Sequence, residues 1–271
     1  MNTKMTLGKR ILSVILTVTI VLSMFPLSAF ASAGNEASVK VGNATTEFAT
    51  YGEAVAFANK NDGSVITLLS DIVSSMSEDP NDLPFVTSDI TLDLNGKNID
   101  FVDVGSVVYD EEEDETSKGK SGSLTVTGDG NIELLTVNDG SLTLKSGTVA
   151  ELAANCFAAE INIDSGTVED LNLSALGDDK IAATVSGGSV LYLNLGDASA
   201  TFTGGDHASS TRWWSINGGT LFISGGNFSY LKMLVSGGNI ALSGGEYGYI
   251  STDPEAPSSE YKKPTLGSLL S

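Results

Sequence analysis

NGGTLFISGGNFSYLKMLVSGGNIALSGGEYGYI, residues Asn217–Ile250, states nearly the same phrase twice, nineteen residues apart. Taking the second glycine of each such phrase, or the glycine of each Ser-Gly-Thr, as an origin selects Gly147, Gly166, Gly188, Gly205, Gly226 and Gly245. The spacings are 19, 22, 17, 21 and 19 residues. Five residues before each origin stand Leu142, Ile161, Ala183, Ala200, Leu221 and Ile240, and three before stand Leu144, Ile163, Val185, Phe202, Ile223 and Leu242. All are apolar, and the residues between them are mostly polar or small, which is the alternation of a half-buried strand.

Two residues past each origin come Val149, Val168, Val190, His207, Phe228 and Tyr247. Five past come Leu152, Leu171, Leu193, Ser210, Leu231 and Ile250. Two inward columns therefore follow each corner, interrupted only in the coil that carries His207. The corner glycine supplies a positive φ without steric cost. A period near 20 with short strands and glycine corners predicts stacked coils, each too small to bury its own apolar face. The phrases LDLNGKNIDFV (from Leu92) and SLTVTG (from Ser123) fit the same phases, and VITLLSDI (from Val65) reads as the first rung, giving roughly nine rungs. Ahead of it, Ala54, Val55, Phe57 and Ala58 have helical spacing, and Asn61-Asp62-Gly63 ends it. A helix there would cap the open strand edges.

The fold class is therefore all-β: a single-stranded parallel β-helix with an N-terminal capping helix. Residues 45–250 carry it, after a lead at 32–44. Residues 1–31 read as a secretory signal: Lys4, Lys9 and Arg10 precede the apolar run Ile11–Phe25, and small-x-small cleavage sites follow at Ala29–Ala31 and Ala31–Ala33. The run is shorter than the roughly 20 residues that cross a bilayer, so no span is expected after removal of the signal. Residues 251–271 contain Pro254, Pro257 and Pro264 and read as a linker or the start of a further module. The whole chain has a formal charge of −20, and removing three basic residues with the signal leaves 11 − 34 = −23. Such a surface repels phosphate backbones and anionic lipids, which argues against nucleic-acid partners.

The helix EAVAFAN, the glycine turn into VITLLSDI, the ITLDLNGKNI phrase and the repeated LxISGGxF phrases resemble the pectate-lyase-like right-handed β-helix, as carried by secreted bacterial surface proteins. The resemblance covers about residues 45 to 250 and implies a right-handed coil and a secreted or cell-surface location. Its hosts include polysaccharide lyases, glycoside hydrolases, adhesins and plain surface modules, so the fold does not choose an activity.

The outward column four residues past the corner reads Glu151, Asp170, Tyr192, Ser209, Tyr230 and Tyr249. With Trp213 on the His207 coil, Tyr192, Tyr230 and Tyr249 are the candidate ligand-binding residues, since aromatic faces can stack on sugar rings. A tyrosine ladder that only stabilises the coil is the structural alternative. Trp214 and the lone Cys156, ten residues before a corner, are expected in the core. No residue is assigned a catalytic or metal-ligating role. His207 lacks the surrounding phrases of β-helical glycosidases, Asp178-Asp179 offers a carboxylate pair but reads first as a polar turn, and Arg212, the mature chain's only arginine, has no aspartate cluster aligned beside it. The run Asp110–Glu115 reads as a solvated loop that would hold Ca²⁺ only weakly, and no other cofactor is expected. The expected function is a non-catalytic surface module that contacts an extracellular polysaccharide or a host or neighbour surface protein. The alternative is a polysaccharide lyase or glycoside hydrolase.

Overall fold

The computed structural model describes residues 34–73, 83–110, 115–175, 179–207, 213–229, 231–247 and 250–251. Within them the chain winds into a parallel β-solenoid of about six turns, fewer than the roughly nine rungs expected. The first face stacks nine strands among the described residues, one for each phrase counted in the sequence. On that first face the strands Ser64–Leu68, Asp89–Asp93, Gly122–Thr127, Gly140–Leu144, Ala159–Ile163, Ile181–Val185 and Ser199–Phe202 stack in parallel. The C-terminal halves of Trp213–Ile223 and Leu231–Leu242 continue the ladder. The second face stacks Lys97–Val104, Gly130–Val137, Thr148–Ala154, Thr167–Leu173 and Ser189–Leu195, then the N-terminal halves of the same two long strands.

Like residues stand on like. Leu124, Leu142, Ile161, Ala183, Ala200 and Leu221 occupy successive positions of one ladder, and all are buried. The corner glycines explain the tight registration. Gly147, Gly166 and Gly188 have φ of 84°, 83° and 68°. A Cβ on Gly166 would stand 2.7 Å from the carbonyl of Gly147, and one on Gly188 would stand 2.4 Å from that of Gly166. Each corner therefore needs glycine for its conformation and again for its closeness to the corner beneath.

The N-terminal end is closed by two devices. Thr50 caps the helix Tyr51–Ala58 by accepting the Glu53 amide at 3.2 Å, and Tyr51, Ala54, Val55 and Ala58 face the core. The helix forms where expected and covers apolar surface, but against expectation it does not cover the first strand's edge. That edge is paired antiparallel by Ala37–Val41, which also pairs with Ala44–Phe48. Only another strand can present amides and carbonyls at the spacing an edge requires. Ordered structure thus begins ahead of residue 45, and Ala37 and Val39 are part of the core.

Ile223 is fully buried and Ser224 is exposed. Ile223→Asp should bury a carboxylate among apolar side chains and cost several kcal/mol, whereas Ser224→Asp should leave the thermal midpoint nearly unchanged. Equal destabilisation of both variants in thermal melts would contradict the register.

Candidate functional site

The outer surface of the second face carries two adjacent ladders. One begins Phe101, Leu134, Glu151, Asp170, Tyr192, each paired with the next across neighbouring strands. The other reads Asp103, Thr136, Ala153, Asn172, Asn194, Ser215, Leu234. The step beyond Tyr192 departs from corner-based counting. Asn194 stands six residues after Gly188, yet its partner Ser215 stands ten after Gly205. The four extra residues move the register, so that Trp213 stands two before Ser215 as Tyr192 stands two before Asn194. Trp213 in turn pairs with Lys232.

Pairing between these strands begins at Asn194 and Ser215, so Tyr192 and Trp213 each stand two residues ahead of the first paired position, and Ser209 lies outside the described residues. Tyr230 and Tyr249 lie outside the described residues, as do Asp178 and Arg212. Tyr192, Trp213 and Lys232 are each partly exposed, and the Lys232 ammonium sits 5.7 Å from the centre of the Trp213 ring, a cation–π distance. Amide and hydroxyl groups border the aromatics. The Asn217 side-chain amide donates to Asn194 Oδ1 at 3.3 Å and to Ser215 Oγ at 3.1 Å, and it accepts from Ser236 Oγ at 2.8 Å.

At the other end of this face the carboxyls of Glu151 and Asp170 belong to paired residues. Partial burial pushes the Glu151 carboxyl above its ordinary value; the Asn172 amide, donating to Glu151 Oε1 at 3.0 Å, opposes this, and the charges of Asp170 and Glu133 add to it. The face thus runs from a carboxylate pair through a tyrosine and a tryptophan to an ammonium.

His207 belongs to the core. It is 1 % exposed and stacked on Phe228 at 4.7 Å, which stacks on Tyr247 at 5.6 Å. Its Nδ1 accepts from the Val190 amide at 3.0 Å, so the ring proton is on Nε2, 3.0 Å from the Gly204 carbonyl oxygen. Tyr247 makes the corresponding bond from its hydroxyl to Gly244 at 2.6 Å. Both rings therefore satisfy a corner carbonyl three residues back. Burial holds the imidazole below its usual pKa, against the two backbone hydrogen bonds and the charge of Asp206. Trp214 is fully buried, as expected, and its Nε1–H reaches the Leu191 carbonyl at 3.3 Å. Cys156 is also buried, but off the predicted column. Ala154, paired with Leu173, holds that slot, and Cys156 follows two residues on, in the connection to the next coil. Burial first, and then the charge of Asp103, push its thiol up to about 11, which suits packing and not nucleophilic chemistry.

Sequence reading missed a polar cluster near the N-terminal end. The Asp103 carboxyl, next to the Thr136 and Asn138 side chains, is pushed up to about 6 by burial, and those two hydrogen bonds oppose the rise. Asp139 is buried, pairs with Lys118 Nζ at 2.7 Å and accepts a hydrogen bond from Ser121. Lys118 ends the antiparallel hairpin Val107–Asp110 and Glu115–Lys118, so the segment expected to be a plain loop is anchored to the solenoid. Residues 111–114 of the acidic run lie outside the described residues. Tyr51, Asn138, Asp139 and Cys156 are buried, whereas Asp103 itself keeps partial exposure at the edge of the cluster. Asn138-Asp139-Gly140 looks like an ordinary turn in the sequence, and only the packing of the hairpin reveals its partner.

A cleft of about 450 Å³ lies between the helix, residues 83–87 and the hairpin, with Val55, Asn59, Pro84, Phe85, Val108 and Lys120 in its walls. It is mainly apolar and gathers no convergent set of polar groups. Among the described residues no group of three or more His, Cys, Asp and Glu side chains could hold a metal ion, and no helix is long and apolar enough to cross a membrane. No family model, curated protein or solved structure matches the chain.

Two pH effects follow, with opposite signs. The folded Asp103 carboxyl keeps its proton to about pH 6, whereas the unfolded one loses it near about pH 3.9. Its contribution is full below the unfolded value and is lost as pH rises through about 6. Asp103→Asn should therefore melt higher than the parent at about pH 8 and no higher at about pH 4. A gain that persists in acid would show a different cause. For His207 the folded pKa is lowered, so its contribution is complete above the unfolded value of about 6.5 and declines on acidification below it. His207→Phe should be less stable at about pH 8, because the Val190 amide loses its acceptor, and the gap to the parent should narrow at about pH 5. Denaturant titrations at both pH values check this. A constant gap would assign the loss to packing alone.

Proposed function

We propose that this chain is a secreted, non-catalytic β-helix module of the pectate-lyase-like type, whose second face binds an extracellular glycan. The observation that supports the reading is the pair Trp213–Lys232, partly exposed like Tyr192 on the preceding strand and bordered by Asn194, Ser215 and Asn217. Aromatic surface takes the apolar face of a sugar, and amides and hydroxyls beside it match ring hydroxyls. A rigid sheet holds these groups at rung spacing, about 4.8 Å, so a polymer lying along the axis meets several weak contacts in series and gains from their number. The same face is an unsuitable platform for nucleic acid, given the chain's formal charge of −20.

A polysaccharide-degrading enzyme is the competing reading. One observation favours it: Glu151, with its raised carboxyl, sits one rung from Asp170, the pairing that an acid and a nucleophile would need. Binding is preferred because His207, the chain's single histidine, is held in the core by two backbone hydrogen bonds.

Trp213→Ala combined with Tyr192→Ala should abolish retention on an immobilised polysaccharide. The thermal midpoint should fall only slightly, since cross-strand pairs contribute about 0.2–1 kcal/mol each. Retention unaffected by the double variant would sink the proposal. Reducing-end release or β-elimination by the parent that vanishes in Glu151→Gln would replace it with the enzyme reading.

A further inference from the structure

We infer that Leu266, Leu269 and Leu270, led by Lys262 and Lys263, fold back over the C-terminal end of the solenoid and close it. The last long strand, Leu231–Leu242, pairs along one edge with Trp213–Ile223. Among the described residues its other edge has partners only at Leu231 and Lys232, which pair with Ile250 and Ser251. The inward columns lose their cover at the same level. Ile216, Leu221, Ile223 and Phe228 are fully buried, but their partners one rung on, Val235, Ile240, Leu242 and Tyr247, all keep exposed surface. Val235 is 39 % exposed. From Met233 to Leu242 the strand carries neither a charge nor a proline, the devices that usually keep an edge from pairing with another chain. The opposite end is closed by a helix and an antiparallel strand of the same chain.

Continuity, length and charge make the chain's own tail the occupant. Ile250 and Ser251 already lie on the outer edge of the last strand, so the chain leaves the ladder where cover is needed. Residues 252–271 are 20 in number, against coil spacings of 17 to 22 residues. Extended, they span up to about 66 Å, several strand lengths. Lys262 and Lys263 are attracted to a chain of formal charge −20, whose last corner exposes Glu246. A plain continuation of the ladder would not serve. In the register set by Ile250 and Ser251, Pro254 falls opposite Val235, where it lacks an amide for pairing, and Ser259 falls opposite Ile240. The apolar side chains come later, at Leu266, Leu269 and Leu270, a spacing that shares one side of a helical turn. Ala54, Val55 and Ala58 cover the other end from one side of a helix in the same way.

Hydrogen exchange of the full chain, followed by mass spectrometry, tests this. Peptides from Met233–Leu242 should exchange about tenfold more slowly in the parent than in Leu266→Asp with Leu269→Asp and Leu270→Asp. Peptides from Gly140–Leu144 and Ala159–Ile163, in the middle of the ladder, should exchange alike in both, which shows the variant folded. Lys262→Glu with Lys263→Glu leaves the leucines in place. It should speed exchange of the last strand at low salt, and less so at moderate salt. Equal exchange of Met233–Leu242 in the parent and the leucine variant would overturn the inference. So would protection that grows with protein concentration alongside a dimer in sedimentation, because a second copy would then be the occupant. Should the leucine variant not fold, the lysine variant decides, and unchanged exchange in it at low salt overturns the inference.

Discussion

The close approach of one coil's corner to the next is the constraint from which the rest of the structure follows. At Gly166 and Gly188 a single added carbon would collide with the carbonyl of the preceding corner. The corners can therefore stack only as bare backbone in the left-handed region, where glycine alone pays no steric penalty. Once the corners are locked, the strands that leave them are held in register. A slip by one residue would turn every inward leucine, isoleucine and valine to solvent. The apolar columns and the glycine corners thus enforce one another.

A solenoid built this way has two intrinsic liabilities, its ends and its insertions. At the N-terminus the open strand edge takes an antiparallel strand, and the apolar end takes a helix, since one element cannot do both. The main insertion described here is the hairpin that carries the acidic run. It is fastened through Lys118 to a buried aspartate, which would be costly to leave unpaired. Asp103 nearby is tolerated in a different way, by hydrogen bonds to Thr136 and Asn138 and by a raised pKa that brings neutralisation within reach of mildly acidic solution.

The same repetition that builds the core creates the candidate binding surface. Every outward residue is brought one rung from its counterpart, so a few substitutions along a column make an extended strip. The strip proposed for glycan contact owes its middle to a local irregularity. Four additional residues after Gly205 bring Ser215 into line with Asn194, with Trp213 two residues ahead. The His207 side chain meanwhile fills the inward slot of the same coil, stacked on Phe228 and closed by backbone hydrogen bonds.

The sequence by itself determined the fold. Strand phase and corner position are written in apolar alternation and glycine spacing, because both depend on local geometry repeated coil after coil. It also placed Trp214 and Cys156 inside and the helix before the first rung. Tertiary structure alone decided that a strand and not the helix pairs the first edge, and that Ala154 displaces Cys156 from its expected column. It alone showed that Asn194 pairs with Ser215 across the longer coil, whereas the alignment of Trp213 with Lys232 was already legible in the sequence. The reason is physical. Counting from a corner predicts partners only while each coil has the same length, and an inserted residue is absorbed wherever packing and hydrogen bonding between coils allow, which a linear pattern does not encode. The buried Asp139 and its partner Lys118 escaped for the same reason, since they meet only when a hairpin folds back onto the coil.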